Sequence, residues 1–150
     1  MIGIKEELFK QCMNYVQDCI DTAQQAIDDA IESANDDTKS SAGDKYETGR
    51  EMMQQEIDRN RKQLEEAKRQ KLSLEQIDHQ KHYDSVQNGS LVITNFGKFY
   101  IAISRGQIQV EGVNFFAISA ISPIGTKLMR QKTGYEFDFN GKTFKIEDIQ

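Results

Sequence analysis

Residues 9–34, FKQCMNYVQDCIDTAQQAIDDAIESA, carry an apolar side chain at every third or fourth position. Residues three and four apart share one helical face, so this repeat predicts a long amphipathic helix. Alanines dominate the end of the stripe, where a partner helix can approach closely. The stripe comprises Phe9, Cys12, Val16, Cys19, Ala23, Ala26 and Ala30, and it is widened by Met13, Ile20, Ile27, Ile31 and Ala34.

A weaker helical pattern follows the polar stretch NDDTKSSAG at 35–43 and runs to about Ile77. Asn60 and Lys71 occupy positions on its seam. Two long helices with a short connection lie antiparallel, and roughly 30 residues in each give a length on the order of 45 Å. We therefore predict an antiparallel coiled-coil hairpin over residues 1–82, with an acidic tip near 36–50. The apolar positions of the second helix are Tyr46, Met53, Ile57, Leu64, Ala67 and Leu74.

From Gly89 the apolar period changes to two, which predicts an antiparallel meander with turns at NFGK, SRGQ and EGVN. Ser122 and Pro123 suit the start of one short helix, and Gly134 suits its end. The Asn-Gly pair at 140–141 predicts a closing hairpin. The predicted fold class is thus α+β, with a small β-rich domain over residues 89–150.

The aromatic residues of this β-rich part alternate mostly with polar ones, which indicates a core. A stacking platform for nucleic-acid bases would require them on the exposed face. The aromatic residues concerned are Phe96, Phe99, Tyr100, Phe115, Phe116, Phe137, Phe139 and Phe144.

The charge is unevenly distributed. Residues 1–88 contain 12 Lys and Arg against 19 Asp and Glu, a net −7, whereas residues 89–150 contain 7 against 5, a net +2. An acidic first half argues against duplex DNA recognition, which needs a basic face. There is no secretory signal and no apolar run long enough to cross a bilayer, so we expect a cytoplasmic protein without membrane contact. Cys12 and Cys19 are expected to be reduced.

Two acidic residues at the predicted tip stand three apart, Asp44 and Glu47. This spacing places both carboxylates on one helical face. They can favour the helix dipole as acids of a first turn. They can also offer two oxygen ligands to a hard cation such as Mg²⁺, with the remaining ligands coming from a partner or water. The sequence leaves both explanations open.

A basic stretch at 59–71 follows on the second helix, and it predicts either a solvated face paired with Glu65 and Glu66 or a local nucleic-acid contact. His79 and His82 have no ligand cluster around them and are expected at the surface. No catalytic triad or phosphate-binding loop is present. We therefore expect a protein that is not itself an enzyme.

Two segments together resemble the Gre family of bacterial transcript-cleavage factors. SPIGTKLMRQKTGYEFDF at 122–139 is similar to the family's Ser-Pro-hydrophobic-small…Leu…Gly pattern before its last strands. GDKYE at 43–47 is similar to its Gly-Asp-x-x-Glu tip, with the two acids on Asp44 and Glu47. The long hairpin followed by a β-rich domain extends the resemblance over nearly the whole chain.

The resemblance implies an FKBP-like fold for the β-rich domain and binding to RNA polymerase through it, with a docking surface that includes Ser122, Pro123 and Ile124. It implies that the coiled coil enters the secondary channel, where Asp44 and Glu47 help to hold Mg²⁺ shared with the polymerase active site. The isolated protein would bind no metal. Backtracked RNA would then be cut by the polymerase itself, and the tip or the stretch 59–71 would contact the RNA 3′ end.

The tip departs from the family pattern after Glu47, where Thr48, Gly49, Arg50 and Glu51 follow instead of the usual Asn-x-Glu-Tyr, so that the Asn and Tyr are missing. Gly49 costs up to ~1 kcal/mol inside a helix. Two alternatives therefore remain: a DksA-like channel-binding regulator that does not stimulate cleavage, and a coiled-coil module that self-associates or binds a protein client.

Overall fold

The computed structural model describes the backbone of residues 3–39 and 43–150 and the side chains of residues 3–35 and 48–150. The predicted α+β fold class is confirmed, since two long helices precede a six-stranded mixed sheet that carries one short helix. The FKBP-like assignment stays a prediction. The elements are α1 Gly3–Lys39, α2 Gly43–Glu75, β1 Leu91–Thr94, β2 Gly97–Ile101, β3 Gly106–Val110, β4 Val113–Ile118, α3 Pro123–Leu128, β5 Glu136–Phe139 and β6 Lys142–Ile149.

The chain forms two compact units. One consists of Val16–Lys71 and is called the hairpin unit here. The other, the β unit, joins the residues up to Tyr15 with Leu72–Gln150. The first turns of α1 therefore pack with the sheet, whereas the sequence assigned them to the hairpin domain.

In the hairpin unit, α1 and α2 pack through the predicted seam. Its buried cluster joins alanine and isoleucine residues of α1 to two residues of α2, Ile57 and Leu64. Lys71 stands at a seam position and donates a hydrogen bond from Nζ to Gln17 Oε1 at 3.1 Å. Its ammonium group therefore has a polar partner although it lies near the apolar stripe. Ile31 remains 39% exposed, so the stripe is narrower than predicted at that end. The α1 members of the cluster are Ala23, Ile27 and Ala30.

The sheet has the strand order β3-β4-β2-β1-β6-β5. The predicted meander is wrong in one respect, because β2 and β4 pair in parallel while the other neighbours pair antiparallel. Ala102 and Ile103 are buried in the connection after β2, and the Ala102 amide donates to Ile118 O at 2.8 Å. The connection thus packs into the interior instead of forming a tight turn, and β4 takes the place beside β2.

The short helix α3 begins as predicted but ends early. Met129 leaves the helical conformation with φ −54° and ψ 132°, and Arg130 has φ +69°. The predicted end at Gly134 is therefore wrong, and the Gly134 amide instead donates to Ile146 O at 2.8 Å in the approach to β5. Asn140 and Gly141 have positive φ between β5 and β6, so the Asn-Gly hairpin is confirmed.

One buried cluster of the β unit lies between α3 and one face of the sheet. It includes Leu128 of α3 together with Tyr83 and Val86, which precede β1. Half-buried Ile124 packs against its edge. The sheet contributes Val92, Phe99, Ile101, Phe137, Phe144, Ile146 and Ile149 to this core.

Candidate functional site

The predicted metal-holding residues Asp44 and Glu47 belong to the first turns of α2, which runs over Gly43–Glu75. Their side chains lie outside the described residues, so the carboxylate pair stays a prediction. The helix continues through Gly49 into the exposed residue Glu51. Within the described part of the chain, no three His, Cys, Asp or Glu side chains come together in a group that could hold a metal ion.

The predicted docking residue Ser122 has a clear role in the local structure. Its Oγ accepts a hydrogen bond from the Gly125 amide at 3.1 Å and donates one to Ser119 O at 2.7 Å. It therefore caps α3 and anchors the helix to the preceding loop. Pro123 occupies the first turn, where a missing N–H costs nothing, and its side chain is exposed.

The glycine of the Ser-Pro-Ile-Gly segment is required by close packing. A Cβ built on Gly125 would lie 2.1 Å from Ser119 O and 2.8 Å from Ser122 Oγ. Ile124 is half-buried against the core. Residues 122–125 are thus explained by how α3 starts and packs, and Pro123 alone among them is exposed.

The surface beside α3 is apolar and basic. Ile121 is 87% exposed, more than any other large hydrophobic side chain in the described residues. Residues 112–135 include Lys127, Arg130 and Lys132 and contain no Asp or Glu. Sequence reasoning missed Ile121, because an isoleucine in an alternating apolar run gives no signal that it points to solvent. Ile121 directly precedes the predicted docking residues Ser122, Pro123 and Ile124.

The basic stretch on α2 is mainly a solvated face. Arg69 Nε donates to Glu66 Oε2 at 3.1 Å, and this bond together with the Glu66 charge raises the pKa of the fully exposed guanidinium. Lys71 is held by Gln17 of α1. The remaining bases, Arg59, Arg61, Lys62 and Lys68, are exposed. The stretch therefore keeps four cations available for an anionic partner.

The two histidines contact neighbouring side chains, and Cys12 is buried. The His79 ring stacks on Phe9 with centroids 4.6 Å apart, and His82 Nδ1 lies 3.9 Å from Asp84 Oδ1 at an exposed site. Both cysteines are free, as expected. Burial raises the pKa of the Cys12 thiol to about 12, against a smaller opposing effect of Arg105. The Cys12 thiol is therefore neutral and unreactive at physiological pH.

A buried polar group that the sequence did not reveal lies near Cys12. Tyr100 is fully buried, and among the described residues its hydroxyl has no hydrogen-bond partner. Burial raises the pKa of this phenol, and the neighbouring Cys12 and Tyr83 raise it further. Tyr100 was correctly predicted as a core residue, but alternation alone does not show whether its hydroxyl finds a partner.

Comparisons with protein-family models, with curated proteins and with solved structures give no match to this chain. None of the described helices combines the length and apolar character needed to cross a bilayer. The function therefore has to be argued from the residues themselves.

Proposed function

We propose that this protein is a Gre-like elongation factor that binds RNA polymerase and stimulates cleavage of backtracked RNA. The observation that carries the proposal is the joint occurrence of Gly43-Asp44-x-x-Glu47 at the start of α2 and Ser122-Pro123-Ile124-Gly125 at the start of α3. A long helical hairpin followed by a small sheet agrees with the architecture that this resemblance implies.

In this proposal Asp44 and Glu47 supply oxygen ligands for Mg²⁺ at the polymerase active site. Hard cations of this kind are often bound by only one or two carboxylates of a given protein, with water and other groups completing the set. Cleavage then follows two-metal chemistry within the polymerase, and the residues of this chain hold and position the ion and water. The protein itself is not an enzyme.

The β unit provides the docking surface in the same proposal. Ser122 and Gly125 shape it by fixing the start of α3, whereas Pro123 and Ile121 present apolar contact area. The exposed bases of the 59–71 stretch are suited to the RNA 3′ end, because phosphate contacts need cations that are not already neutralised.

The test is an RNA cleavage assay on stalled, backtracked polymerase complexes. We expect wild-type protein to accelerate cleavage, and Asp44→Asn and Glu47→Gln to abolish the effect while polymerase binding is retained. Glu51→Gln is the matched control, because it removes an exposed carboxylate from the same helix outside the Gly-Asp-x-x-Glu motif. Normal cleavage by both tip variants would show that the metal-holding role is wrong.

The altered tip favours a second candidate, a channel-binding regulator that changes initiation or pausing without stimulating cleavage. Thr48, Gly49 and Arg50 stand where the family continues with polar and acidic residues. Polymerase binding without cleavage stimulation at any Mg²⁺ concentration would support this candidate over the first.

The alanine-rich seam of α1 favours a third candidate, a self-associating or client-binding coiled coil. A pull-down that recovers no polymerase subunits, together with a concentration-dependent oligomer, would support it and exclude both polymerase-binding candidates.

A further inference from the structure

Seven aromatic side chains form a continuous network on the face of the sheet that packs against α3. The Phe144 ring lies at its centre, with centroids 5.2 Å from Phe96 and 5.3 Å from Phe137. Phe99 connects this centre to Phe116, at 6.4 Å from Phe144 and 5.9 Å from Phe116. We call this surface the aromatic face; its members are Phe96, Phe99, Phe116, Tyr135, Phe137, Phe139 and Phe144.

The inner rings of the aromatic face are buried, but the outer ones are open to solvent. Phe99, Phe137 and Phe144 are at most 8% exposed, whereas Phe96 is 50% and Phe116 is 37% exposed. Burying the outer rings completely would be more favourable if they served only the core, because a partly exposed ring forgoes part of the roughly 1.5–3 kcal/mol that full burial provides. Tyr135 is also 38% exposed, so three rings of the network are open to solvent and contact buried rings on their inner side.

The polar groups around these rings are basic or neutral. Lys142 Nζ lies 5.2 Å from the centroid of the Phe96 ring. Gln107 stands opposite Phe116 in the strand register, and its amide donates to Asn114 Oδ1 at 3.0 Å. The nearby acids Glu136 and Asp138 alternate with Phe137 along β5 and so point to the opposite face.

We propose that the aromatic face binds single-stranded RNA. Bases stack on the exposed ring of Phe116 and, once Lys142 Nζ moves from the face of the Phe96 ring to a phosphate, on Phe96 as well, because every base offers a π-face to an aromatic side chain on a sheet. Lys142 lies where it can contact a phosphate, and the Gln107 and Asn114 carboxamides can bond base edges or the 2′-hydroxyl. Rings, amides and a cation without a carboxylate suit a flat anionic ligand better than an apolar protein surface.

This inference does not rest on the proposed polymerase function, since it uses residues far in sequence from Asp44 and Glu47 and needs no polymerase. The measurement is fluorescence anisotropy of a labelled ten-nucleotide pyrimidine RNA, titrated with full-length protein over a salt series. We expect saturable binding that weakens with salt. Phe116→Leu should weaken it at least about fivefold by removing one stacking ring, whereas Phe116→Tyr should retain it.

Charge is tested with a matched pair of lysines on β6. Lys142→Gln should lower the slope of log affinity against log salt by about 0.7, the value for one phosphate contact on a single strand. Lys145→Gln should leave the slope unchanged, because residues 142 and 145 of the strand point to opposite faces. Circular dichroism melting curves establish that each variant is folded.

Several results would overturn the proposal: no saturable RNA binding by wild type at low salt, wild-type affinity of a folded Phe116→Leu variant, or equal effects of the two lysine changes. A DNA strand of the same sequence that binds as tightly as the RNA would overturn the assignment to RNA. A dimer in sedimentation velocity that Phe116→Leu dissociates would identify the aromatic face as a contact between two copies of the chain instead.

Discussion

Replacing Gly125 by alanine tests whether the Ser-Pro-Ile-Gly segment is required for folding. Alanine favours a helix over glycine by up to ~1 kcal/mol, so helix propensity alone predicts a more stable protein. The added Cβ would lie 2.1 Å from Ser119 O, however, and side-chain Cβ atoms are essentially never found closer than 3.0 Å to another heavy atom. We expect this clash to dominate.

The cost follows from the bonds that Ser119 O and Ser122 Oγ make. Ser119 O accepts from the Ser122 amide at 3.2 Å and from Ser122 Oγ at 2.7 Å, and Ser122 Oγ caps the Gly125 amide. Moving either oxygen away from the new Cβ would weaken these three hydrogen bonds. Loss of a cap costs about 1 kcal/mol and overpacking about 1–3 kcal/mol, so after subtracting the propensity gain of up to about 1 kcal/mol the net destabilisation should be about 1–3 kcal/mol.

Urea unfolding followed by tyrosine fluorescence measures this effect, since Tyr83 and Tyr100 are buried in the β unit. With a denaturant slope of about 2 kcal/mol/M, the midpoint should fall by roughly 0.5–1.5 M. Gly97→Ala is the control, because its Cβ would meet nothing closer than 3.5 Å and should change stability by no more than about 0.5 kcal/mol. A Gly125→Ala midpoint equal to or above that of wild type would refute the steric argument.

Three further predictions concern other parts of the chain. Glu111→Asn should stabilise the folded state by about 0.5 kcal/mol and so raise the thermal midpoint. Glu111 has φ +51° and precedes Gly112 in a two-residue turn, where asparagine is favoured. An unchanged thermal midpoint would contradict this prediction. Leu64→Ala should destabilise the hairpin unit by about 2–5 kcal/mol, measured as the unfolding transition of the helical circular dichroism signal. Leu72→Ala should cost far less, because Leu72 is exposed whereas Leu64 is buried. Cys12→Ala should lower stability below pH 9, and its deficit should shrink by about 1.4 kcal/mol per pH unit above pH 9. In the folded protein the pKa of Cys12 is raised to about 12, so the thiol of the unfolded chain ionises first, and the wild type loses stability as pH rises from about 9 to about 12. A stability deficit of Cys12→Ala that does not change with pH in urea titrations would rule out this raised pKa.

Local patterns were sufficient to predict the element types. The three-and-four spacing of α1 and the buried positions Ile57 and Leu64 of α2 follow from helical periodicity, which does not depend on the partner. Ser122, Pro123 and the Asn140-Gly141 turn depend on backbone conformations within a few residues. Such signals are contained in the sequence itself.

The parallel pairing of β2 with β4 was decided by tertiary structure. Turn residues at Ser104–Gly106 show that the chain changes direction, but not which strand it then joins. That choice depends on Ala102 and Ile103 being buried, and burial is a property of distant contacts. The early end of α3 has the same origin, because the Arg130 amide is held by Val86 O at 2.8 Å.

For the candidate sites, the sequence by itself singled out Asp44, Glu47 and the Ser122–Ile124 segment, since each is defined by residue type and spacing. It could not show that Ser122 and Gly125 support α3 internally, nor that Phe96 and Phe116 stand open while Phe99 and Phe144 are buried. Alternation assigns side chains to two faces of a strand, but only the packing of the other elements decides how much of each face is covered. The physical reason is that spacing is local, whereas exposure depends on the whole surrounding structure.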